Sequence, residues 1–331
     1  MSEPDVPEIQ NKKKDRPSRL RLYFAPALLL ALSLVLSVGW VMISHRVETH
    51  LDRMIADEAS NGRLWTCANR TIAGFPFRIE VECIGAQVKV TNEPHFEAKL
   101  PRIIAVAQIY DPHLVIIEAQ GPLLIAASDK PTVSASWSSL RSSIHMQSDQ
   151  MPDRLSIVGE GLTLKSEMRD QSATMTHGEL HIRVKPIDDK PSNDLEFALR
   201  VQGLSSDVMP GVPASFETSG ALEQGIQFLK FKGPETIETW RRANGRINLE
   251  SFIISRGEQM LDLKGKIGLD EQRKASGQIE FTGKGLDEFF KSVGLSKFSA
   301  LQTTNLKVPL VFSNGYLLLG PFKMAELKPL Y

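Results

Sequence analysis

The chain of 331 residues contains two cysteines, Cys67 and Cys83, which lie one short loop apart. If this part of the chain is exported, the two thiols meet an oxidising compartment, in which disulfides persist. One bridge that closes a loop of about 15 residues would contribute ~3 kcal/mol in the chain-entropy model. The alternative is a pair of free thiols in a core. The spacing excludes a CxxC redox or zinc site, because the paired cysteines of such sites lie only a few residues apart.

The segment closest to a metal-binding motif is HGELH, His177 to His181. On a helix its two histidines would share a face, but the neighbouring residues alternate between apolar and polar as in a strand. At ~3.3 Å per residue the backbones of the two histidines lie about 13 Å apart, too far to share one ion. We therefore predict no metal site and interpret both histidines as solvated residues of a strand face.

Catalytic motifs are absent from the sequence. It contains no phosphate-binding glycine loop, no H-E-x-x-H zinc helix and no G-x-S-x-G nucleophile elbow. The neighbouring carboxylates, such as Glu80 with Glu82 and Asp188 with Asp189, show no pattern that indicates a tuned pKa in a cleft. The formal net charge of +0 gives no basic patch for nucleic acid. We predict no catalytic residues, no cofactor and no nucleic-acid partner.

The candidate segment for export of the cysteines and strands across a membrane is an uncharged apolar run from Tyr23 to Ile43. It meets the length of about 20 apolar residues that a helix needs to cross a bilayer. Basic residues crowd before the run, which predicts a cytoplasmic tail over 1–22 and an exported remainder. The alternative is a cleaved signal peptide with Ser37-Val38-Gly39 as its cleavage site. We favour a retained single-pass anchor in the inner (cytoplasmic) membrane, because signal-peptide cores are usually about 7–15 residues long.

Two patterns follow the run. Residues 44–62 have helical periodicity and end at Gly62, which predicts a helical stalk. From 63 to 331 the period changes to two, as in FRIEVEC (Phe77 to Cys83), and turn dipeptides separate short apolar runs. The predicted fold class is therefore mainly β, with curved antiparallel sheets, a few short helices and a weak domain boundary near 185–193. The short helices are predicted at Gly233–Gly245 and Gly285–Leu295.

Between the cysteines lies a turn made of Gly74, Phe75, Pro76, Phe77 and Arg78. Gly74 allows a positive φ and Pro76 fixes its own φ, so the segment makes a defined turn that the two phenylalanines would anchor. One interpretation is a structural corner beside the cysteines. The other is a lip that meets membrane or lipid.

Two strand-like segments, LVII and LLIAA, are apolar on both faces. Such a segment is typical of a strand buried on both sides. The alternative is the lining of an apolar groove, with Leu114, Ile116, Leu123 and Ile125 as the lining residues.

The chain resembles an uncharacterised bacterial family of inner-membrane-anchored periplasmic proteins, catalogued as domain of unknown function 2125. The marks are the N-terminal span, GFPFR between Cys67 and Cys83, and the segments Ile109–Leu123 and Asn314–Tyr331. The resemblance implies the compartment and the fold, and it brings no activity. The segment Leu261–Gly294 is similar to the C-terminal modules of AsmA-like envelope proteins. Those are anchored by one helix and extend as long β structures thought to carry or shield lipids.

These observations lead to an expected function in envelope maintenance. The protein would be held at the membrane, with a periplasmic β domain that binds or shields phospholipid or another lipid in an apolar groove. The alternative is a structural protein without a ligand, which holds envelope proteins through exposed strand edges. An enzyme is the least favoured class, because no catalytic motif is present.

Overall fold

A computed structural model describes residues 19–92, 95–127, 130–147, 151–187, 190–230, 235–284 and 308–331. In this part of the chain a long N-terminal helix precedes 17 strands of one antiparallel sheet, which confirms the predicted fold class. Most of the predicted basic tail and the predicted helix Gly285–Leu295 lie outside the described residues.

The helical elements are α1 (Arg19–Ser60), a 3₁₀ helix (Gly225–Lys230) and α2 (Glu235–Arg242). The strands are β1 (Arg63–Ala73), β2 (Arg78–Val90), β3 (Phe96–Gln108), β4 (Asp111–Gln120), β5 (Leu123–Ala127), β6 (Lys130–Ser136), β7 (Ser139–Met146), β8 (Pro152–Ser166), β9 (Gln171–Ile187), β10 (Lys190–Ser206), β11 (Met209–Leu222), β12 (Arg246–Arg256), β13 (Gln259–Leu269), β14 (Ala275–Lys284), β15 (Val308–Ser313), β16 (Tyr316–Leu319) and β17 (Phe322–Glu326).

Helix α1 joins the predicted span and the predicted stalk in one element of 42 residues. It is long and apolar enough to cross a membrane, a property that it shares with signal sequences. The helix ends where the sequence predicts, because Gly62 adopts a φ of +78° and its amide donates to the carbonyl of Ala59 at 3.0 Å. This left-handed turn sends the chain back along α1 as β1.

The strands pair mostly in chain order, but two positions in the sheet are each occupied by two short strands instead of one long strand. β4 and β5 both pair with β3, so together they fill the place of one strand. β6 and β7 fill the next place, because both pair with β8. The interruptions are the dipeptides Gly121-Pro122 and Trp137-Ser138, since neither proline nor a tight turn continues a strand ladder.

Side-chain alternation shifts by one residue at Gly85, in the middle of β2. Val81 and Cys83 line the same groove as Ala86 and Val88, although the two pairs differ in parity. The cause is the φ of +66° at Gly85, which rotates the following residues so that their side chains exchange faces. The pairing of β2 with β3 stays in register across this position. The rule that alternate residues share a face therefore holds only on each side of Gly85.

The same kind of shift recurs in neighbouring strands at positions that lie opposite one another. We call these residues the interruption row, and the strand registers and close contacts place them in one line across the sheet. The row consists of Ala68, Gly85, Pro101, Gly121, Ser138, Gly161, Thr176 and Gly203. It accounts for positive φ values at three glycines in the interior of long strands.

One face of the sheet is apolar and the other is charged. Ile157 lies opposite Leu180, which lies opposite Leu199, and all three are on the apolar face. On the other face Glu179 lies opposite Arg200. A second layer would bury such an apolar face, yet few hydrophobic side chains of the described residues are buried. These are Ile79, Leu195, Val201, Ala221, Trp240, Leu261, Phe281 and Leu319.

The interruption row can be tested at Gly85. A Cβ atom there would lie 3.0 Å from the Cβ of Ala68, and its φ belongs to the left-handed region. We expect Gly85→Ala to lower the free energy of unfolding by about 1–2 kcal/mol from the backbone conformation alone, with a further loss from the contact.

Gly257→Ala is the matched control for this variant. Gly257 has a similar φ of +58°, but the atom nearest to its added Cβ lies 3.8 Å away. Denaturant unfolding of the purified proteins in detergent gives both losses. A loss at Gly85 no larger than that at Gly257 would show that close approach of β1 and β2 is not required.

Candidate functional site

From Trp40, near the end of the apolar run, to its last turns, α1 lies against the first strands of the sheet. The indole Nε1 of Trp40 donates a hydrogen bond to the backbone oxygen of Arg78 at 3.0 Å. Further along the helix, the guanidinium of Arg70 pairs with the carboxylate of Asp52 at 2.8 Å. Because both partners of this ion pair are partly exposed, it contributes less than about 1 kcal/mol. Its role is to fix the position of the helix rather than to supply most of the stability.

A groove of about 760 Å³ lies between this part of α1 and the sheet. One wall is helical, and the other belongs to β1, β2, β3 and the start of β5. Most of the lining side chains are apolar. They include Leu51, Met54, Ile55, Trp65, Val81, Ala86, Val88, Ala98, Leu100, Ile103 and Leu123. The volume falls in the range of about 300–1,000 Å³ that is usual for small-molecule sites.

Charged residues also line the groove, and three of them have partners within the protein. Arg70 pairs with Asp52, Lys99 pairs with Glu97 at 2.9 Å, and Glu58 pairs with Arg63. The Arg63 guanidinium lowers the pKa of Glu58, so this carboxylate stays ionised. These paired charges favour an apolar occupant over an ionic one, because binding an ion would mean breaking existing pairs.

The two cysteines form part of the groove wall. Their sulfur atoms are bonded and their Cα atoms are 5.7 Å apart, as expected of a disulfide. The bridge joins β1 to β2 diagonally across Gly85, because Cys67 lies opposite Ala86 whereas Cys83 lies opposite Arg70. It therefore fixes the strand pair at the point where side-chain alternation shifts.

The four residues proposed as a groove lining fall on two faces of the sheet. Leu123 lines the groove, and Ile125 lies on the same face because it pairs with the lining residue Ala98. Ile116 pairs with Val106, one residue away from Ala105, which lies opposite Val81. Ile116, and Leu114 two residues before it, therefore face away from the groove. A segment in which all side chains are apolar has no alternation from which the inward face could be predicted.

The GFPFR segment forms a turn beside the end of the apolar run. The amide of Arg78 donates to the oxygen of Gly74 at 3.1 Å, Gly74 has a φ of +102°, and the peptide before Pro76 is cis. The ring of Phe75 meets that of Trp40 edge-on at 5.9 Å. Phe75 and Phe77 are nevertheless 55% and 60% exposed, so neither is a buried anchor of the turn.

A polar cluster lies on the charged face, around the HGELH segment. The segment belongs to β9, as predicted, and Glu179 accepts hydrogen bonds from His177 and His181. Hydrogen bonds to Glu160 and then to Glu179 raise the pKa of His177. Hydrogen bonds from His181 and then His177 lower the pKa of Glu179. Within the described parts of the chain, no group of three or more His, Cys, Asp or Glu residues is arranged to hold a metal ion.

In the same cluster a serine, a histidine and a glutamate are linked by a chain of two hydrogen bonds. Ser156 Oγ lies 2.8 Å from His181 Nδ1, and His181 Nε2 lies 2.6 Å from Glu179. Nucleophilic catalysis also requires unpaired donors aimed at a developing oxyanion. Ser156 is paired with Ser143 on one side and His181 on the other, so its backbone belongs to the sheet ladder. The cluster is therefore suited to a surface charge network, which the alternation of His, Glu and His on one strand face could have indicated.

Comparison with known proteins gives one match. A family model described as "Uncharacterized protein conserved in bacteria (DUF2125)" matches residues 40–328. This span includes both cysteines, the GFPFR turn and all sheet residues of the groove, and it confirms the resemblance noted in the sequence. No curated protein and no solved structure matches the chain. The similarity of Leu261–Gly294 to AsmA-like modules is untested and stays a prediction.

The disulfide gives a prediction about stability. The bonded cysteines are 16 residues apart, so we expect the double variant Cys67→Ala, Cys83→Ala to lose about 3 kcal/mol of unfolding free energy. Denaturant unfolding measures the loss. Thiol labelling of the unreduced, denatured parent should modify no cysteine, and two labelled thiols would contradict the bridge.

The raised pKa of His177 predicts a pH dependence of stability. The stabilisation from protonated His177 is complete below the ordinary histidine pKa of about 6.5 and is lost as pH rises through the raised folded-state pKa. We therefore expect His177→Gln to lower the melting temperature, relative to the parent, more at about pH 5.5 than at about pH 8.5. Glu160→Gln should reduce the same pH dependence. A parent–variant difference that is equal at both pH values would exclude the ion pair as its source.

Proposed function

We propose that this chain, which belongs to the DUF2125 family of uncharacterised bacterial proteins, is a membrane-anchored periplasmic protein that binds lipid acyl chains in the groove. The observation that carries this proposal is the composition of the groove walls. Leu51, Met54 and Ile55 of the helical wall lie on the same unbroken helix as the apolar run. A groove whose wall emerges from the bilayer is placed to receive a chain from that bilayer.

The chemistry of the lining supports an acyl chain as the occupant. The helical wall contributes aliphatic side chains, and the sheet wall contributes aliphatic residues, Trp65 and the disulfide. Such a surface binds by excluding water from apolar area and offers little to a polar solute. An acyl chain that buries about 200 Å² of its surface would gain about 5 kcal/mol at ~25 cal/mol per Å².

Two features support the anchor and the compartment. Helix α1 continues without a break through Ser37-Val38-Gly39, the position at which a signal peptidase would cut. A bonded cysteine pair is typical of proteins on the oxidising side of a membrane. Together with the basic residues before the apolar run, these features favour a cytoplasmic N-terminus and a periplasmic sheet.

The alternative, a protein that holds partners through its sheet edges, has less support. At one end of the described sheet, β1 pairs with β2, and α1 contacts this strand through the ion pair of Asp52 with Arg70. At the other end of the described sheet, β17 has only five residues and carries Lys323 and Glu326. Short, charged edge strands resist pairing with other chains.

Blocking the groove tests the proposal. Ala98 lines the groove, and Ala98→Trp would fill part of its volume. We expect the lipid-to-protein ratio of the variant purified in mild detergent to fall several-fold, as measured by mass spectrometry of extracted lipids. Circular dichroism and an intact disulfide would establish that the variant folds.

Ile116→Trp is the matched control. Ile116 is 45% exposed on the opposite face, so the same large side chain introduced there lies outside the groove. We expect the lipid content of this variant to equal that of the parent. Equal lipid content in all three proteins would mean that the bound lipid surrounds the span, and the groove proposal would fail.

A further inference from the structure

We propose that Trp40, Phe75, Phe77 and Tyr110 form an aromatic rim that inserts into the headgroup region of the membrane and seats the β domain on it. The partner is the lipid bilayer that α1 crosses. This inference rests on the anchor of the proposed function, but it does not require that the groove binds lipid. It assigns a membrane contact to the sheet itself, in addition to the helix.

The path of the chain brings the rim to the level of the membrane. Helix α1 leaves the apolar run near Ile43 and continues to Ser60, where the chain reverses. β1 then runs back along the helix, so its last residue, Ala73, approaches the level of Trp40. The hydrogen bond from Trp40 to Arg78 and the edge-on contact of Trp40 with Phe75 show that the helix and this end of the strands are in contact. The GFPFR turn is thus the part of β1 and β2 nearest to the span.

A second turn extends the rim. β3 returns to the same end of the sheet, because Gln108 lies opposite Arg78. The turn that follows is held against the first one, since the amide of Ile109 donates to the oxygen of Phe77 at 3.0 Å. Its next residue, Tyr110, is 74% exposed. Two adjacent turns therefore present large aromatic side chains at one end of the sheet.

The residue types of the rim fit the membrane interface. Tryptophan and tyrosine concentrate at the headgroup level, where one side of the ring is apolar and the other is hydrated. Phe75 and Phe77 leave more than half of their surface exposed in the protein, an unfavourable state in water that insertion would relieve. The guanidinium of Arg78, in the same turn, is exposed and pairs with Glu80 at 3.1 Å. In a seated rim this long side chain would reach the level of the lipid phosphates.

Continuity with the span favours a bilayer over a protein as the partner. Most of the large side chains of α1 from Phe24 to Met42 are apolar and exposed, so this surface must be covered by lipid in the anchored protein. The rim begins directly at its end, at Trp40. An independent protein-binding patch would have no reason to be aligned with the edge of the span.

The rim also relates the groove to the membrane. Arg70 and Val81, which line the groove, are only a few residues from the GFPFR turn along β1 and β2. At ~3.3 Å per strand residue the groove begins within roughly 15 Å of the rim. Seating the rim in the headgroup region would therefore hold the groove close to the bilayer and fix its direction relative to the surface.

Site-specific photocrosslinking tests the rim. The full chain carries p-benzoylphenylalanine in place of Phe77 or Tyr110 and is placed in nanodiscs of phosphatidylethanolamine and phosphatidylglycerol. After ultraviolet illumination, intact-protein mass spectrometry counts phospholipid adducts. Phe24, which is 70% exposed within the span, is the reference position. Leu64, exposed at the opposite end of β1, is the control position.

We expect phospholipid adducts at Phe24, Phe77 and Tyr110, with at least a five-fold lower yield at Leu64. Adducts at Phe24 alone would overturn the rim and leave the anchor intact. Adducts to a protein at Phe77 and Tyr110 would overturn the bilayer as the partner, and equal yields at Leu64 would show that the contact is not confined to the rim. No adduct at Phe24 would instead overturn the anchor itself.

Discussion

The packing of β1 against α1 is the contact on which the groove and the rim both depend. Because the chain reverses at Gly62, the first strand runs back beside the helix toward the apolar run. The pair of Arg70 with Asp52 holds the helix at this strand, and the hydrogen bond of Trp40 to the backbone oxygen of Arg78 holds it at the start of β2. A helix that left the sheet would open the groove along one wall and separate Trp40 from Phe75.

The interruption row gives the sheet its second constraint. A regular strand has one apolar face along its whole length, whereas these strands exchange the parity of their apolar positions at Gly85 and its neighbours. The exchange keeps apolar residues on the groove side above and below the row. The disulfide spans the row at its first two strands, where α1 also packs, so the most constrained part of the sheet is the part that forms the groove.

Several features followed directly from the sequence, and others required the fold. The apolar run, the end of the helix near Gly62 and the strand at Phe77–Cys83 were predictable, because each depends on local periodicity or on one residue type. The groove was not, since it depends on α1 folding back beside β1, a long-range contact. The face on which Ile116 lies could not be predicted, because a uniformly apolar segment has no alternation. The parity change across Gly161, in a segment with clear alternation, was a signal for the interruption row.

Fluorescence of Trp65 tests the central claim, that acyl chains enter the space between α1 and the sheet. Trp65, on β1, lines the groove together with Asp57 and Glu58 of α1. These helical residues lie roughly 20 Å beyond Ile43, at ~1.5 Å per residue. The emission of Trp65 is obtained by subtracting the emission spectrum of Trp65→Phe from that of the parent. Both proteins are measured in nanodiscs whose lipids carry bromine, a short-range quencher, on their acyl chains. The account predicts that brominated lipid quenches this component. An unquenched Trp65, alongside a quenched Trp40 obtained in the same way, would contradict it.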